Sequence, residues 1–300
     1  MTLRDTHIDR SGETIVRANG VDLCVETFGD PADPAILLIA GAAASMDWWE
    51  DGFCLRLATG RRFVVRYDLR DTGRSVSYPP GSPSYTQPDL VDDAIGLLDA
   101  LDIDRAHVVG LSFGGGLGQR MALDHPERVA TLTLMSTSPG GPGGPGNPDL
   151  PPMSAALEAS FAEPTADPDW TDREAVIQQF VDGERLFESA KLFDEARVRE
   201  IAARVVDRTT DMAASMTNHW IVDGGEPVRH RLGEITAPTL VLHGTVDPLF
   251  PIGHAEALAA EIRGARLVPL QGVGHQFPPP AAWDVVVPAI VDHTAGRPVD

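Results

Sequence analysis

Val108-Val109-Gly110-Leu111-Ser112-Phe113-Gly114-Gly115-Gly116 is the stretch on which the fold turns. It places G-x-S-x-G between a short apolar, β-branched run and a helical pattern. A sharp strand-to-helix turn lifts the Ser112 hydroxyl above a sheet, and the flanking glycines let the two backbones pass closely. The helix that follows aims its first N–H groups at the turn, so the Phe113 amide can donate to a developing oxyanion. With 13 serines and 29 glycines in 300 residues, chance supplies about 0.1 such motifs before any context is required. A dinucleotide loop is excluded, because Gly116-Leu117-Gly118 leads to Met121 where a third glycine is needed. There is no Walker loop and no H-E-x-x-H, and no metal or cofactor is expected.

Outward from this turn, strands are expected at Val21–Thr27, Ala35–Ile39, Phe63–Tyr67, His107–Leu111, Ala130–Met135, Thr239–His243 and Arg266–Leu270. AILLIA, HVVGL and TLVLHG are continuously apolar, as in parallel strands buried on both faces. Helices are expected near Met46–Ala58, Gln87–Leu101, Phe113–Asp124, His254–Ile262 and Ala281–His293. This alternation specifies an α/β domain with right-handed crossovers. The start differs: ETIVRANGVDLCVETFGD has no helix between its strands, and Asn19-Gly20 marks a hairpin. The sheet therefore begins antiparallel. After Met135 the alternation stops. SPGGPGGPGNPDLPP is a linker or excursion, and residues to about 234 read as helices alone. The chain divides into a core, residues 1–138 and 235–300, and an inserted helical cap, 139–234.

The net charge of −20 repels phosphate backbones and anionic lipids, which argues against nucleic-acid and membrane partners. Cys24 and Cys54 each lie in an apolar run and read as buried thiols. MTLRDTHIDRSGETIV lacks the apolar stretch of a signal peptide, and no window reaches the ~18–20 apolar residues of a membrane span. The chain reads as cytoplasmic.

A serine nucleophile needs a base, and the base needs an acid to hold its tautomer. His275 lies in PLQGVGHQFPPP, just past the last strand, between glycines and prolines. Such loops at strand ends are where catalytic groups collect. His107, inside a strand, and His243, at a strand end, read as structural. His125 closes a helix and is expected to meet its carbonyls, and His254 opens a helix and is a further candidate to line the pocket. His219 is the spare histidine of the cap and can meet substrate. Asp247, in TLVLHGTVDPLFP, follows a strand by four residues and gives the chain order Ser112, Asp247, His275. The loop after Ile39, Ala40-Gly41-Ala42-Ala43, carries side chains small enough for the Ala42 N–H to point into the site.

On these motifs the chain resembles the α/β-hydrolase family over nearly its whole length. Its sharper likeness is to the methylesterases of anthracycline (aclacinomycin) biosynthesis. FGDPADPAILLI, RYDLRDTGRS, RAHVVGLSFGG, MALDHPERVATLTLM, APTLVLHGTVDPLFP and GVGH carry it. The resemblance implies a mostly parallel sheet with helices on both faces and an inserted cap. It places nucleophile, acid and base on Ser112, Asp247 and His275, and the oxyanion donors on Ala42 and Phe113. Two positions depart from the pattern. Ala40 stands where a histidine is frequent, and Phe113 where methionine or glutamine is frequent. Arg70, Asp71 and Arg74 in YDLRDTGRS read as ion pairs and hydrogen bonds that pin the loop around Gly73.

The implied activity is hydrolysis of a small-molecule apolar ester through an acyl-enzyme, with a methyl ester on an aromatic polyketide as candidate. Lactonase, thioesterase, perhydrolase or decarboxylase chemistry fits the same triad. A non-turnover receptor is a third reading, which three intact triad positions oppose. Trp170, Phe180, Phe187, Phe193, Met212, Met216 and Trp220 of the cap, with Trp48, Trp49, Phe250 and Phe277, are available for core and pocket. Trp48, Met216, His219, Trp220, Phe250 and Phe277 are the substrate-binding candidates. Homo-oligomer formation is left open.

Overall fold

The computed structural model describes residues 8–140, 147–163 and 167–297. Residues 141–146 of the expected Gly/Pro linker, and the first seven residues of the chain, lie outside this range. Eight strands form one sheet: β1 (Thr14–Ala18), β2 (Val21–Phe28), β3 (Ala35–Ile39), β4 (Phe63–Tyr67), β5 (Ala106–Leu111), β6 (Val129–Met135), β7 (Thr239–Gly244) and β8 (Arg266–Leu270). Their order is β1-β2-β4-β3-β5-β6-β7-β8. The β1/β2 and β2/β4 pairs are antiparallel and the rest parallel. Asn19 and Gly20 turn β1 into β2 with φ of 44° and 76°, the left-handed pair a two-residue hairpin needs. Every residue of β3, β4 and β7 is buried, which is why their sequences show no polar alternation, with Arg66 and His243 as the buried exceptions.

Helices cover both faces. α1 (Asp51–Thr59) and α9 (Trp283–Thr294) bury Phe53, Leu57, Val286 and Ile290 on one side. α2 (Gln87–Ala100), α3 (Phe113–Asp124) and α8 (Gly253–Glu261) bury Leu97, Leu117, Met121 and Leu258 on the other. A fully buried leucine contributes about 1.5–3 kcal/mol, so these two layers supply most of the drive to fold. α2 opens with a capping box in which Thr86 and Asp89 satisfy each other's amides. The expected helix Met46–Ala58 is split. A 3-10 turn, Met46–Trp48, ends at Trp49, and α1 starts after Glu50, whose backbone is extended. The Trp49 carbonyl is taken by the Arg66 guanidinium and the Cys54 thiol, a tertiary demand that helix propensity does not register. Both cysteines are free and buried, and burial pushes each thiol up to about 12.

Between β6 and β7 the described residues form helices and no strand of the sheet. α4 (Ala155–Ala162), α5 (Arg173–Phe187), α6 (Glu195–Arg208) and α7 (Met212–Ile221) are each capped by the residue before them: Ser154, Asp172, Asp194 and Asp211. Val176, Ile177, Val181, Val198, Ile201 and Val205 of α5 and α6 join the same apolar cluster as Trp48 and Trp49. Arg208, at the end of α6, is paired with Asp68 (2.8 Å), Glu13 (2.7 Å) and Asp47. The 3-10 helix Arg229–Glu234 instead packs Leu232 into the cluster beneath α3 and α8. Among the described residues no helix is long and apolar enough to cross a membrane.

The loop 67–75 is a structural knot. Arg70 forms a buried bidentate pair with Asp93 (2.6 and 2.7 Å). Asp71 accepts from the Tyr78 amide, the Tyr85 hydroxyl and the Asn218 amide group of α7. Gly73 has φ of 51°, and a Cβ there would lie 2.1 Å from an Asp68 carboxylate oxygen.

Candidate active site

Ser112 sits between β5 and α3 with φ 53° and ψ −116°, a strained conformation for a residue with a side chain. Packing imposes it. A Cβ on Gly110 would lie 2.2 Å from the Gly114 carbonyl oxygen, one on Gly114 2.4 Å from the Ile39 oxygen, and one on Gly115 2.7 Å from the Thr137 side chain. The motif's glycines are thus space requirements that drive α3 against β3 and β6.

His275 follows β8 in a loop fastened at both ends. Its amide donates to the Phe187 carbonyl at 2.9 Å, and Gly274 leaves no room for a Cβ against that same carbonyl (2.4 Å). Asp247 follows β7. Its Oδ1 accepts the amides of Leu249 (2.9 Å) and Phe250 (2.8 Å). Its Oδ2 accepts from His275 Nδ1 at 2.9 Å. His275 Nε2 then lies 3.0 Å from Ser112 Oγ. Since a carboxylate only accepts, Nδ1 carries the proton and Nε2 is left to accept from the serine hydroxyl. Burial works against the Asp247 carboxylate, but the His275 ring, its hydrogen bond and the Phe250 amide outweigh it and hold the pKa below the usual carboxylate value. The three expected residues are therefore assembled into one hydrogen-bonded chain.

The loop after β3 passes beside this turn: a Cβ on Gly41 would lie 3.6 Å from Ser112 Cβ. Ala42 and Phe113 both line the cavity above the serine. Neither amide donates to another group among the described residues, so neither N–H is spent within the protein. That cavity is about 460 Å³, within the range of small-molecule sites.

All six substrate-binding candidates border the cavity, in different ways. Trp48, Phe250 and Phe277 form buried walls, with Trp48 and Phe277 stacked at 6.0 Å. Met216 faces in from α7. Trp220 is 61% exposed and stands at the mouth. His219 is buried with both ring nitrogens engaged: Nδ1 accepts from the Ala43 amide (3.0 Å) and Nε2 donates to the Arg70 carbonyl (2.8 Å). Its ring face borders the cavity, but it has no free polar atom for a ligand. Trp49 is outside the cavity, packed on Phe53 and Phe277.

Four further histidines, His107, His125, His243 and His254, have partners within the fold. His107 Nδ1 meets Thr131 Oγ1 at 3.0 Å. His125 faces the Asp92 carboxylate rather than helix carbonyls. His243 donates to the Phe250 carbonyl beneath Asp247. His254 is held between Ser138 and the Pro151 carbonyl. Among the described residues no three metal-ligating side chains cluster.

Phe180 and Phe187, expected for core or pocket, face the cavity along one side of α5, and with them stand residues that the sequence did not single out, Gln179, Gly183 and Glu184. The spacing i, i+1, i+4, i+5, i+8 was the available signal. Burial, and then the Glu188 carboxylate, push the Glu184 carboxyl up to about 8, against the pull of Arg197.

Comparison with known proteins agrees with this fold. A profile described as the alpha/beta hydrolase fold matches residues 34–278. The rhodomycin D methylesterase DauP of Streptomyces sp. (strain C5) is 36% identical over 95% of this chain and 99% of its own. The rhodomycin D methylesterase DnrP of Streptomyces peucetius is 35% identical over 93% and 97%. Among solved structures, a meta-cleavage product hydrolase from Pseudomonas fluorescens IP01 superimposes with a TM-score of 0.73 at 22% identity, over 94% of this chain and 97% of that one.

Proposed function

From the premise that the chain belongs to the alpha/beta hydrolase family and is an ester hydrolase, we propose that it cleaves a methyl ester on a polycyclic, polyketide-like acid through an acyl-enzyme at Ser112. The observation that carries this reading is the Ser112–His275–Asp247 chain, at 3.0 and 2.9 Å. Ser112 Oγ attacks the ester carbonyl while His275 Nε2 takes its proton. The Ala42 and Phe113 amides receive the oxyanion, and Asp247 stabilises the imidazolium. Methanol leaves with the proton from His275. A water, deprotonated by the same nitrogen, then releases the acid. No cofactor is needed at any step.

Support for the acyl partner comes from the cavity. The aromatic walls of Trp48, Phe250 and Phe277 suit a flat ring system, and α5 and α7 of the cap supply the facing wall. The names of DauP and DnrP point to the same substrate class. The acidic surface and apolar cavity suit a small-molecule partner rather than nucleic acid. The test is a panel in which one polycyclic acid is offered as methyl ester, lactone and thioester, with methanol release measured directly. The methyl ester should give the highest kcat/KM. A panel in which lactone or thioester wins by tenfold or more overturns the methylesterase reading.

A further inference from the structure

We propose that His219 is a positioning residue that sets the oxyanion hole from the cap, an inference that rests on the esterase reading above. The loop Gly41–Ala44 is a tight turn, closed by the Ala44 amide on the Gly41 carbonyl at 3.3 Å. Its third residue, Ala43, has φ of 59°. This pattern belongs to a type II turn, where glycine is the usual occupant of that position. An alanine there carries strain of about 1–2 kcal/mol. The unstrained alternative turns the Ala42–Ala43 peptide over and moves the segment that presents the Ala42 amide.

One group opposes that relaxation. An amide can only donate, so His219 Nδ1 must accept the Ala43 N–H; a carbonyl can only accept, so Nε2 must carry the proton given to Arg70 O. The tautomer is fixed at both ends. The far end is anchored, because Arg70 is itself locked to Asp93. The ring also lies on Phe113, with centroids 5.3 Å apart and planes 18° from parallel. His219 therefore contacts both segments that supply the oxyanion amides. Burial lowers its pKa, against the Arg70 carbonyl and the Asp71 charge that favour the proton; the ring stays neutral, as an acceptor must. Since His219 belongs to α7, the hole is complete only when the cap is seated.

The experiment compares wild type with His219→Ala, His219→Phe and His219→Asn. p-Nitrophenyl acetate is the substrate, being too small to depend on the outer cavity, and phenylboronic acid is the tetrahedral mimic. Ala removes the acceptor and the stack, Phe keeps the stack without the acceptor, and Asn offers an acceptor oxygen near Nδ1. Loss of one oxyanion donor costs about 10²–10³ in kcat. Ala and Phe should lose about 10²-fold in kcat with KM within about threefold. Boronate inhibition should weaken by a similar factor, and Asn should recover at least about tenfold. If Ala does not fold, the Phe and Asn pair decides. The proposal is overturned if Phe keeps kcat within about threefold of wild type, if the loss falls in KM alone, or if Asn is as slow as Phe. Failure of the esterase reading gives a different result: wild type itself would not turn over the ester or bind the boronate.

Discussion

Replacing Asp247 with asparagine changes one atom type and probes the whole hydrogen-bonded chain. Oδ1 is pinned by two backbone amides at 2.9 and 2.8 Å, so the new side-chain oxygen must stay there. The amide NH₂ is then forced to face His275 Nδ1. Reversing it would lose two hydrogen bonds at about 1 kcal/mol each and set donor against donor. With NH₂ facing it, Nδ1 has to become the acceptor, and the ring proton moves to Nε2. Nε2 can then no longer accept from Ser112 Oγ, 3.0 Å away. The wrong tautomer in such a triad costs about 10⁴ in kcat, or about 5.5 kcal/mol of barrier. Asp247→Asn should therefore lose about four orders of magnitude in kcat on p-nitrophenyl acetate, and as much in the rate of fluorophosphonate labelling, while its circular dichroism matches wild type. The depressed pKa adds a stability signature. Because the folded value lies below the unfolded one, the carboxylate contributes stability above about pH 4, and this is lost as pH falls through the folded value. The gap in Tm between wild type and Asp247→Asn should be present at pH 7 and narrow once the pH falls below the ordinary carboxylate value. A folded Asp247→Asn enzyme with kcat within tenfold of wild type would refute the reasoning.

Two further outcomes are expected. Trp220→Ala, at the exposed mouth, should raise KM for bulky polycyclic esters by about 5–30-fold, or 1–2 kcal/mol, while leaving p-nitrophenyl acetate unchanged; wild-type KM values for all esters would remove Trp220 from the binding surface. Glu184, held up to about 8, keeps its proton in the folded state where the unfolded chain has lost it, so it subtracts stability as pH rises from about 4.5 to 8. Glu184→Gln should therefore gain Tm relative to wild type between pH 5 and pH 8.5, and a constant difference across that range contradicts the burial of this carboxyl.

The fold was legible because its strands are buried on both faces: AILLI and TLVLHG have no polar face to confuse with a helix, and Gly110 and Gly114 fill a space where any Cβ collides. The triad was legible for a related reason, since serine, acid and base each had to follow a strand. What stayed hidden depends on contacts far apart in sequence. His219 was read as a ligand contact because it is polar and lies in a helical cap; that both nitrogens are spent, on Ala43 and Arg70, follows only from how α7 docks. Glu184 was passed over because a glutamate on an amphipathic helix normally faces water. The break at Trp49 was invisible because it is dictated by Arg66, across the fold.

The central claim is that Ser112 carries the acyl group, and intact-protein mass spectrometry of a reaction quenched during the first turnovers tests it most directly. The account predicts a mass increase equal to the acyl group, mapped to the peptide that contains Ser112. It should be absent from Ser112→Ala, whose kcat should fall by about 10⁴–10⁶. Steady turnover with Ser112 unmodified, together with a Ser112→Ala enzyme within tenfold of wild type, would contradict it.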